Sequence, residues 1–192
     1  MNDADKTMPE GDRVCPAGRA WLLSTSLRKM LGQNPETILK GMVREGDTVV
    51  DIGCGPGFFT LPLARMVGEK GSVIALDLQE AMLEKMQLRA EQSGLLPRIR
   101  PQLCTAGSIG CAGPADFALA FYMVHEVPDA ARFMDETRCM LKERGRLLLV
   151  EPKFHVHAAK FWKTVEITWK AGFTLLSEPR IAFSRAVLFE RV

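Results

Sequence analysis

The stretch from Asp51 to Phe58 holds the residues whose types and spacing best indicate a chemical role. It reads D-x-G-x-G-x-G and begins inside the strand-like run Thr48–Ile52. Glycine accepts positive φ at a tight turn and lets a ligand approach the backbone closely. The N–H groups of a following helix favour a negatively charged ligand group. We therefore expect a nucleotide-type ligand beside the turn formed by Asp51, Gly53, Cys54, Gly55, Pro56, Gly57 and Phe58.

Two other nucleotide-binding motifs are excluded by the same stretch. A dinucleotide fingerprint reads G-x-G-x-x-G, and counting from Gly53 places Phe58 where the third glycine belongs. A P-loop needs Gly-Lys-Ser/Thr, which is absent here. The remaining pattern resembles the class I S-adenosylmethionine-dependent methyltransferases, and the resemblance covers residues 45–155 well. It implies S-adenosylmethionine as cofactor, S-adenosylhomocysteine as product and methyl transfer as activity.

Asp77 ends the second strand-like run and is the next candidate. An acid at this place accepts hydrogen bonds from both ribose hydroxyls of a nucleoside. The alternative is an acid that favours the start of the following helix through its dipole. The resemblance favours the ribose role and adds Leu78 and Met82 to the cofactor site, with Met82 packed on adenine. Ordinary core packing is the alternative for Met82.

The loop after the third strand departs from the family pattern. Many members carry an acid there that bonds the amino group of adenine, whereas this chain reads Gly107-Ser108-Ile109. We expect backbone atoms of Ser108 and Ile109 to replace that acid, with Gly107 beside them.

The segment after the fourth strand is expected beside the transferred methyl group. It lacks the D/N-P-P-Y/F loop of the amino-methylating branch and resembles the branch that methylates small molecules. Phe121 and Tyr122 are expected at the donor pocket. His125 is the candidate general base because its unperturbed pKa is near neutral, and a locally bonded helix-entry histidine is the alternative. Tyr122 and Glu151, which follows the fifth strand, are the further catalytic candidates.

Residues 15–45 are expected to form a helical lid, because the chain has no large insertion elsewhere. Cys15, Arg19 and Trp21 are its candidate substrate contacts. The five cysteines contain no C-x-x-C pair and offer no converging set of thiolates. We therefore expect a reduced, cytoplasmic protein with no metal site and no arsenite methylation.

Strand and helix patterns alternate from Asp47 onward. Strands are predicted at 48–52, 72–78, 99–105, 116–123, 146–150, 174–178 and 186–192, with helices at 58–67, 79–92, 129–141 and 158–171. This alternation predicts an α/β fold with a doubly wound, seven-stranded, mostly parallel sheet, an antiparallel final strand and helices on both faces. Asn34 and Pro35 predict a short helix to about Met42. The last helix is expected to bury Phe161, Val165, Trp169 and Phe173.

Length and charge set the remaining expectations. The 192 residues fit one domain with a flexible tail (1–14), the lid (15–45) and an α/β core (46–192). A net charge of +2 does not indicate nucleic acid as a partner, and no apolar run reaches the length of a membrane span. A small-molecule acceptor is therefore expected. The protein itself is expected to be a monomer or a homodimer. Two alternatives stay open: a cofactor-binding protein without transferase activity, and an RNA or protein methyltransferase.

Overall fold

The computed structural model describes residues 33–110 and 113–192, which form one sheet covered by helices. The strands are β1 Thr48–Ile52, β2 Ser72–Asp77, β3 Ile99–Leu103, β4 Ala115–Phe121, β5 Leu141–Pro152, β6 Phe173–Ser177 and β7 Ser184–Arg191. The helices are α1 Pro35–Ile38, α2 Thr60–Met66, α3 Glu80–Gln92, α4 Ala130–Met140 and α5 Ala158–Lys170. Cys15, Arg19 and Trp21 lie outside the described residues, as do the tail and most of the predicted lid.

The sheet has the strand order β3-β2-β1-β4-β5-β7-β6. The first five strands pair in parallel, and β7 runs antiparallel to both β5 and β6. The predicted fold class is therefore confirmed, although β7 lies between β5 and β6 and leaves β6 at the edge. The chain moves outward from β1 to β3 and returns to β4 beside β1. Ligands of such sheets bind at the carboxyl ends of the strands beside this switch in direction.

Successive residues of the central strands point to opposite faces of the sheet and enter different cores. Val49 and Val73 belong to the core that includes residues of α2 and α3. Val50 and Ile74 belong to the core that includes residues of α4 and α5. This alternation follows from the two-residue period of a strand. Both faces of β1 and β2 are covered, so these strands hold the site rigidly from below.

Asp116 lies at the amino end of β4, opposite the end where a ligand is expected. Its Oδ2 accepts the Thr48 N–H at 2.9 Å, and its Oδ1 lies 2.6 Å from Lys142 Nζ. Burial raises the pKa of this carboxyl, but the hydrogen bonds from Lys142 and Thr48 outweigh that effect and hold the pKa below its ordinary value. Asp116 therefore joins β1, β4 and β5 away from the candidate site.

Three predicted features differ in the structure. The short helix begins as expected, with the Asn34 side chain accepting the Glu36 N–H at 3.0 Å, but it ends at Ile38 rather than near Met42. Strand β5 begins at Leu141 rather than at residue 146, because Leu141 already pairs with Ala115 of β4.

The last helix also buries a different set of residues. Trp169 is 63% exposed, so its predicted place in the core is wrong. Thr168 is buried instead, and its hydroxyl donates to the Thr164 carbonyl at 2.8 Å, which satisfies the polar group. Phe173 is buried but belongs to β6, not to the helix.

Candidate functional site

A cavity of about 270 Å³ opens at the carboxyl ends of β1, β2 and β4. It lies at the switch in strand order, where the fold predicts a ligand. The cavity brings together eight of the residues predicted from sequence: Gly53, Asp77, Leu78, Met82, Gly107, Ser108, Ile109 and Tyr122.

The glycine turn is shaped by hydrogen bonds within the protein. The Gly53 and Cys54 N–H groups donate to the Leu76 carbonyl at 2.8 and 2.9 Å. The Gly55 N–H donates to Asp77 Oδ2 at 2.8 Å. Gly53 and Gly55 have φ values of 71° and 52°, which favour glycine. These contacts fix the turn against the end of β2.

Gly57 has a different role from the other two glycines. A Cβ at this position would lie 2.6 Å from Leu61 Cδ1 and 2.8 Å from Met86 Cγ. The third glycine therefore allows α2 and α3 to pack closely beside the turn. Arg89 of α3 strengthens the same junction, since its Nη1 donates to the Pro56 carbonyl at 2.6 Å.

Asp77 is the carboxylate of the cavity floor. It is only 7% exposed, and its Oδ1 accepts the Gln79 N–H at 2.9 Å. Burial raises the pKa of this carboxyl, against the lowering effect of the hydrogen bonds from Gln79 and Gly55. Each oxygen accepts one of these bonds and keeps a lone pair for another donor. Asp77 thus fits the two hydroxyls of a ribose while it also orders the start of α3.

Several predicted cofactor residues support the cavity from behind. Asp51 is buried, and its Oδ2 accepts the Thr60 hydroxyl at 2.6 Å, which joins β1 to α2. The ring of Phe121 lies 4.4 Å from the rings of Phe59 and Tyr122, measured between centroids. Seven of the predicted cofactor residues do not line the cavity themselves: Asp51, Cys54, Gly55, Pro56, Gly57, Phe58 and Phe121.

Tyr122 adopts an unusual backbone conformation beside the cavity. Its φ is 62°, a region that costs about 1–3 kcal/mol for a non-glycine residue. Its hydroxyl accepts from Gln33 Nε2 at 2.6 Å and lies 2.5 Å from Ser184 Oγ. Its N–H donates to the Val150 carbonyl at 2.8 Å. The hydroxyl is therefore held between β7 and the segment that precedes α1, while the backbone is tied to β5.

His125 and Glu151 form a closely bonded pair beside Tyr122. His125 Nδ1 lies 2.6 Å from Glu151 Oε2, and the His125 N–H donates to Glu151 Oε1 at 2.9 Å. Glu151 is 2% exposed at the end of β5. Neither residue lines the cavity, but Glu126, which follows His125, does. The structure thus brings two of the predicted catalytic residues together, next to the cavity but outside its lining.

Glu136 is a cavity residue that the sequence reasoning missed. It lies on α4, and its Oε2 accepts the Ile109 N–H at 2.8 Å. Burial raises the pKa of this carboxyl, but hydrogen bonds from Ile109, Arg132 and Ser108 outweigh it and lower the pKa. In the sequence, Glu136 reads as an ordinary i,i+4 helix partner of Arg132, so no local signal distinguishes it.

Burial raises the pKa of two thiols near the site. Cys104 lines the cavity, and burial raises its pKa to about 11. Burial also raises the pKa of Cys54 far above its ordinary value. Within residues 33–110 and 113–192, no three His, Cys, Asp or Glu side chains are grouped as metal ligands. In the same residues, no helix has the length and apolar character needed to cross a membrane.

A family model described as a methyltransferase domain matches residues 44–175, which is more than half of the chain. The chain belongs to the methyltransferase domain family. The matched segment extends from the residues before β1 into β6 and contains every described cavity residue.

Relatives of this methyltransferase domain include a solved structure and two curated enzymes. The crystal structure of an S-adenosylmethionine-dependent methyltransferase from Aquifex aeolicus is 25% identical, with a TM-score of 0.81, and covers 94% of this chain and 100% of that chain. An aklanonic acid methyltransferase from Streptomyces sp. (strain C5) is 31% identical over 60% of this chain and 53% of its own length. A demethylmenaquinone methyltransferase from Lactobacillus johnsonii is 28% identical over 78% of this chain and 60% of its own length.

The chain therefore spans about half to three fifths of the length of these curated relatives. The resemblance to class I S-adenosylmethionine-dependent methyltransferases is confirmed, and S-adenosylmethionine is the cofactor that the family and the solved neighbour imply. The acidic, acceptor-only carboxylate of Asp77 inside the cavity fits its ribose.

Proposed function

We propose that the protein transfers the methyl group of S-adenosylmethionine to a small-molecule acceptor. The observation that carries this proposal is the position of Asp77, a buried carboxylate with two available lone pairs in a cavity that continues to Tyr122. The named acceptors of the two curated relatives, aklanonic acid and demethylmenaquinone, support a small molecule.

The cofactor residues divide by chemistry. When bound, S-adenosylmethionine supplies a methyl group that is already activated for transfer. Asp77 accepts the ribose hydroxyls, Leu78 and Met82 provide apolar surface for the base, and Gly53 leaves room beside the turn. The residues behind the cavity keep the turn in shape, and Tyr122 borders the acceptor end.

His125 is proposed as the general base for an acceptor that arrives protonated. Its Nδ1 faces Glu151 at 2.6 Å, while its Nε2 lies 3.8 Å from Glu126 Oε1, beyond hydrogen-bond distance. Glu151 therefore orients the ring and leaves Nε2 to take the proton that the acceptor releases. Groups in such a role contribute typically about 10²–10⁴-fold to rate.

The function is tested by supplying a cell extract with labelled S-adenosylmethionine and searching for a methylated small molecule by mass spectrometry. The expected result is a labelled product that requires the protein and is absent with Asp77→Ala. Cofactor binding without any product would favour the cofactor-binding protein without transferase activity. Labelled RNA or protein instead of a small molecule would contradict the proposed acceptor class.

The role of His125 is tested with His125→Gln once that acceptor is in hand. We expect a large fall in kcat and unchanged cofactor affinity. His157→Gln on the surface is the matched control and should leave both unchanged. A kcat close to that of the wild type in His125→Gln would contradict a general base at this position.

Location and partners complete the proposal. A cytoplasmic location is supported by the free thiols of Cys54, Cys104 and Cys139, which suit a reducing compartment. No nucleic-acid partner is proposed, and RNA binding with a steep salt dependence would contradict this. Monomer and homodimer are both compatible with the proposal.

A further inference from the structure

The loop after β3 carries no carboxylate side chain at this end of the cavity. Its sequence is Thr105-Ala106-Gly107-Ser108-Ile109. Its backbone donors are also engaged, since the Ser108 N–H donates to the Thr105 carbonyl at 3.2 Å and the Ile109 N–H donates to Glu136. These two N–H groups are therefore bonded within the protein, and an acceptor for the amino group of adenine has to be a backbone carbonyl of the loop or a side chain from another element.

Glu136 brings a carboxylate to the same place from a different element. It lines the cavity together with Arg132 and Phe133, all from α4. Its Oε2 accepts the Ile109 N–H at 2.8 Å, and its Oε1 accepts from Arg132 Nε at 3.0 Å. A carboxylate is acceptor-only and offers about four lone-pair sites. The Ser108 side chain also bonds this carboxyl, so three donors are engaged and one site remains for a ligand donor. The side chain is 22% exposed, so a ligand in the cavity can reach it.

The geometry points to Glu136 as the residue that selects the base of the cofactor, by accepting a hydrogen bond from the exocyclic amino group of adenine. This inference rests on the proposed function, because it requires S-adenosylmethionine in this cavity. Asp77 anchors the ribose at the end of β2, and the apolar side chains of Leu78 and Met82 flank the space between. Arg132 and the Ile109 N–H hold the carboxylate in place from its other sides.

The chemistry of the base makes this selection testable. Adenine presents an amino donor to Glu136, whereas hypoxanthine presents an oxygen at the same atom. Two acceptors then face each other, and the carboxylate is left without the partner that it gains from adenine. Sites that bond a ligand N–H reject analogues that lack it, because their own polar group is then unpaired.

The experiment compares S-adenosylhomocysteine with its 6-oxo analogue, S-inosylhomocysteine, by titration calorimetry on the full chain. The wild type is expected to bind S-adenosylhomocysteine at least tenfold more tightly. In Glu136→Gln that ratio should fall to within threefold, because the amide offers a donor to the oxo group. Asp135→Asn removes the same charge from the exposed face of the same helix and should keep the wild-type ratio.

Each outcome decides the matter. A ratio that collapses in Glu136→Gln alone supports the inference. Equal weakening of both ligands in that variant, or no preference in the wild type, would overturn it while the proposed function stands. If the wild type binds neither ligand, the proposed function fails as well. If Glu136→Gln does not fold, Glu136→Asp replaces it. This variant keeps the charge but shortens the side chain by one methylene, and it should also lose the preference for S-adenosylhomocysteine over S-inosylhomocysteine.

Discussion

Replacing Asp77 by alanine should weaken cofactor binding far more than it damages the fold. Each carboxylate oxygen has one lone pair left for a ribose hydroxyl, and a hydrogen bond to a charged group is worth about 1.5–3 kcal/mol. At the lower of these values, loss of one such bond weakens the affinity by about tenfold, and loss of both weakens it by about a hundredfold. We expect titration calorimetry with S-adenosylhomocysteine to show a decrease in this range.

The same substitution also removes the acceptor of the Gly55 and Gln79 N–H groups. Two such losses amount to about 3 kcal/mol, and the melting temperature should fall by about 6–12 °C for a chain of this size. The far-ultraviolet spectrum at room temperature should stay unchanged. Asp116→Ala is the matched control, because that acid accepts a backbone N–H at the opposite end of the sheet. It should lower the melting temperature and keep the affinity, and an unaltered affinity in Asp77→Ala would refute the ribose assignment.

Three further perturbations separate binding from packing. Gly57→Ala places a Cβ against α2 and α3 at contacts below 3 Å and should lower the melting temperature strongly. Gly55→Val meets no atom within 4 Å of its Cβ and carries only the strain of its φ of 52°, about 1–3 kcal/mol, so it should lower the melting temperature less and lose cofactor binding. Normal binding by Gly55→Val would place the ligand elsewhere. At pH 8, iodoacetamide should modify the exposed Cys139 quickly and Cys104 slowly, because the pKa of Cys104 is about 11. S-adenosylhomocysteine should slow the modification of Cys104 further, and peptide mapping that shows no such protection would contradict a ligand beside Cys104. Because the pKa of Asp116 is lowered in the folded state, its stabilising contribution is present near neutral pH and is lost as the pH falls through that lowered value. The free energy of unfolding of Asp116→Asn should therefore fall less steeply with decreasing pH than that of the wild type.

The glycine turn and Asp77 could be predicted from sequence because their chemistry is local. Three closely spaced glycines after a strand, and an acid at the end of the next strand, each depend on a few adjacent residues. The alternation of strands and helices is equally local, which explains why the sheet and its flanking helices were predicted correctly. The rule of right-handed connection limits the possible strand orders but does not fix the place of β7 between β5 and β6.

The rest depends on contacts between distant parts of the chain. Glu136 meets Ile109 across 27 positions, and Gln33 meets Tyr122 across 89, so no window of sequence reveals either contact. The spacing of apolar residues in α5 predicts that Trp169 is buried, but the face of α5 that meets the sheet contains Thr168 instead. The pairing of His125 with Glu151 was missed for the same reason, although each residue had been singled out separately.

The position of β7 between β5 and β6 has a consequence for how the chain acquires its structure. The last strand of this sheet to be synthesised must enter between two strands made earlier, so both keep exposed edges until it arrives. Unpaired edges are sites of association between partly folded chains. Pulse-labelled hydrogen exchange during refolding should therefore show the amides of β7 and β6 becoming protected together and after those of β1, β2 and β4. Protection of β6 ahead of β7 would argue against this sequence of events.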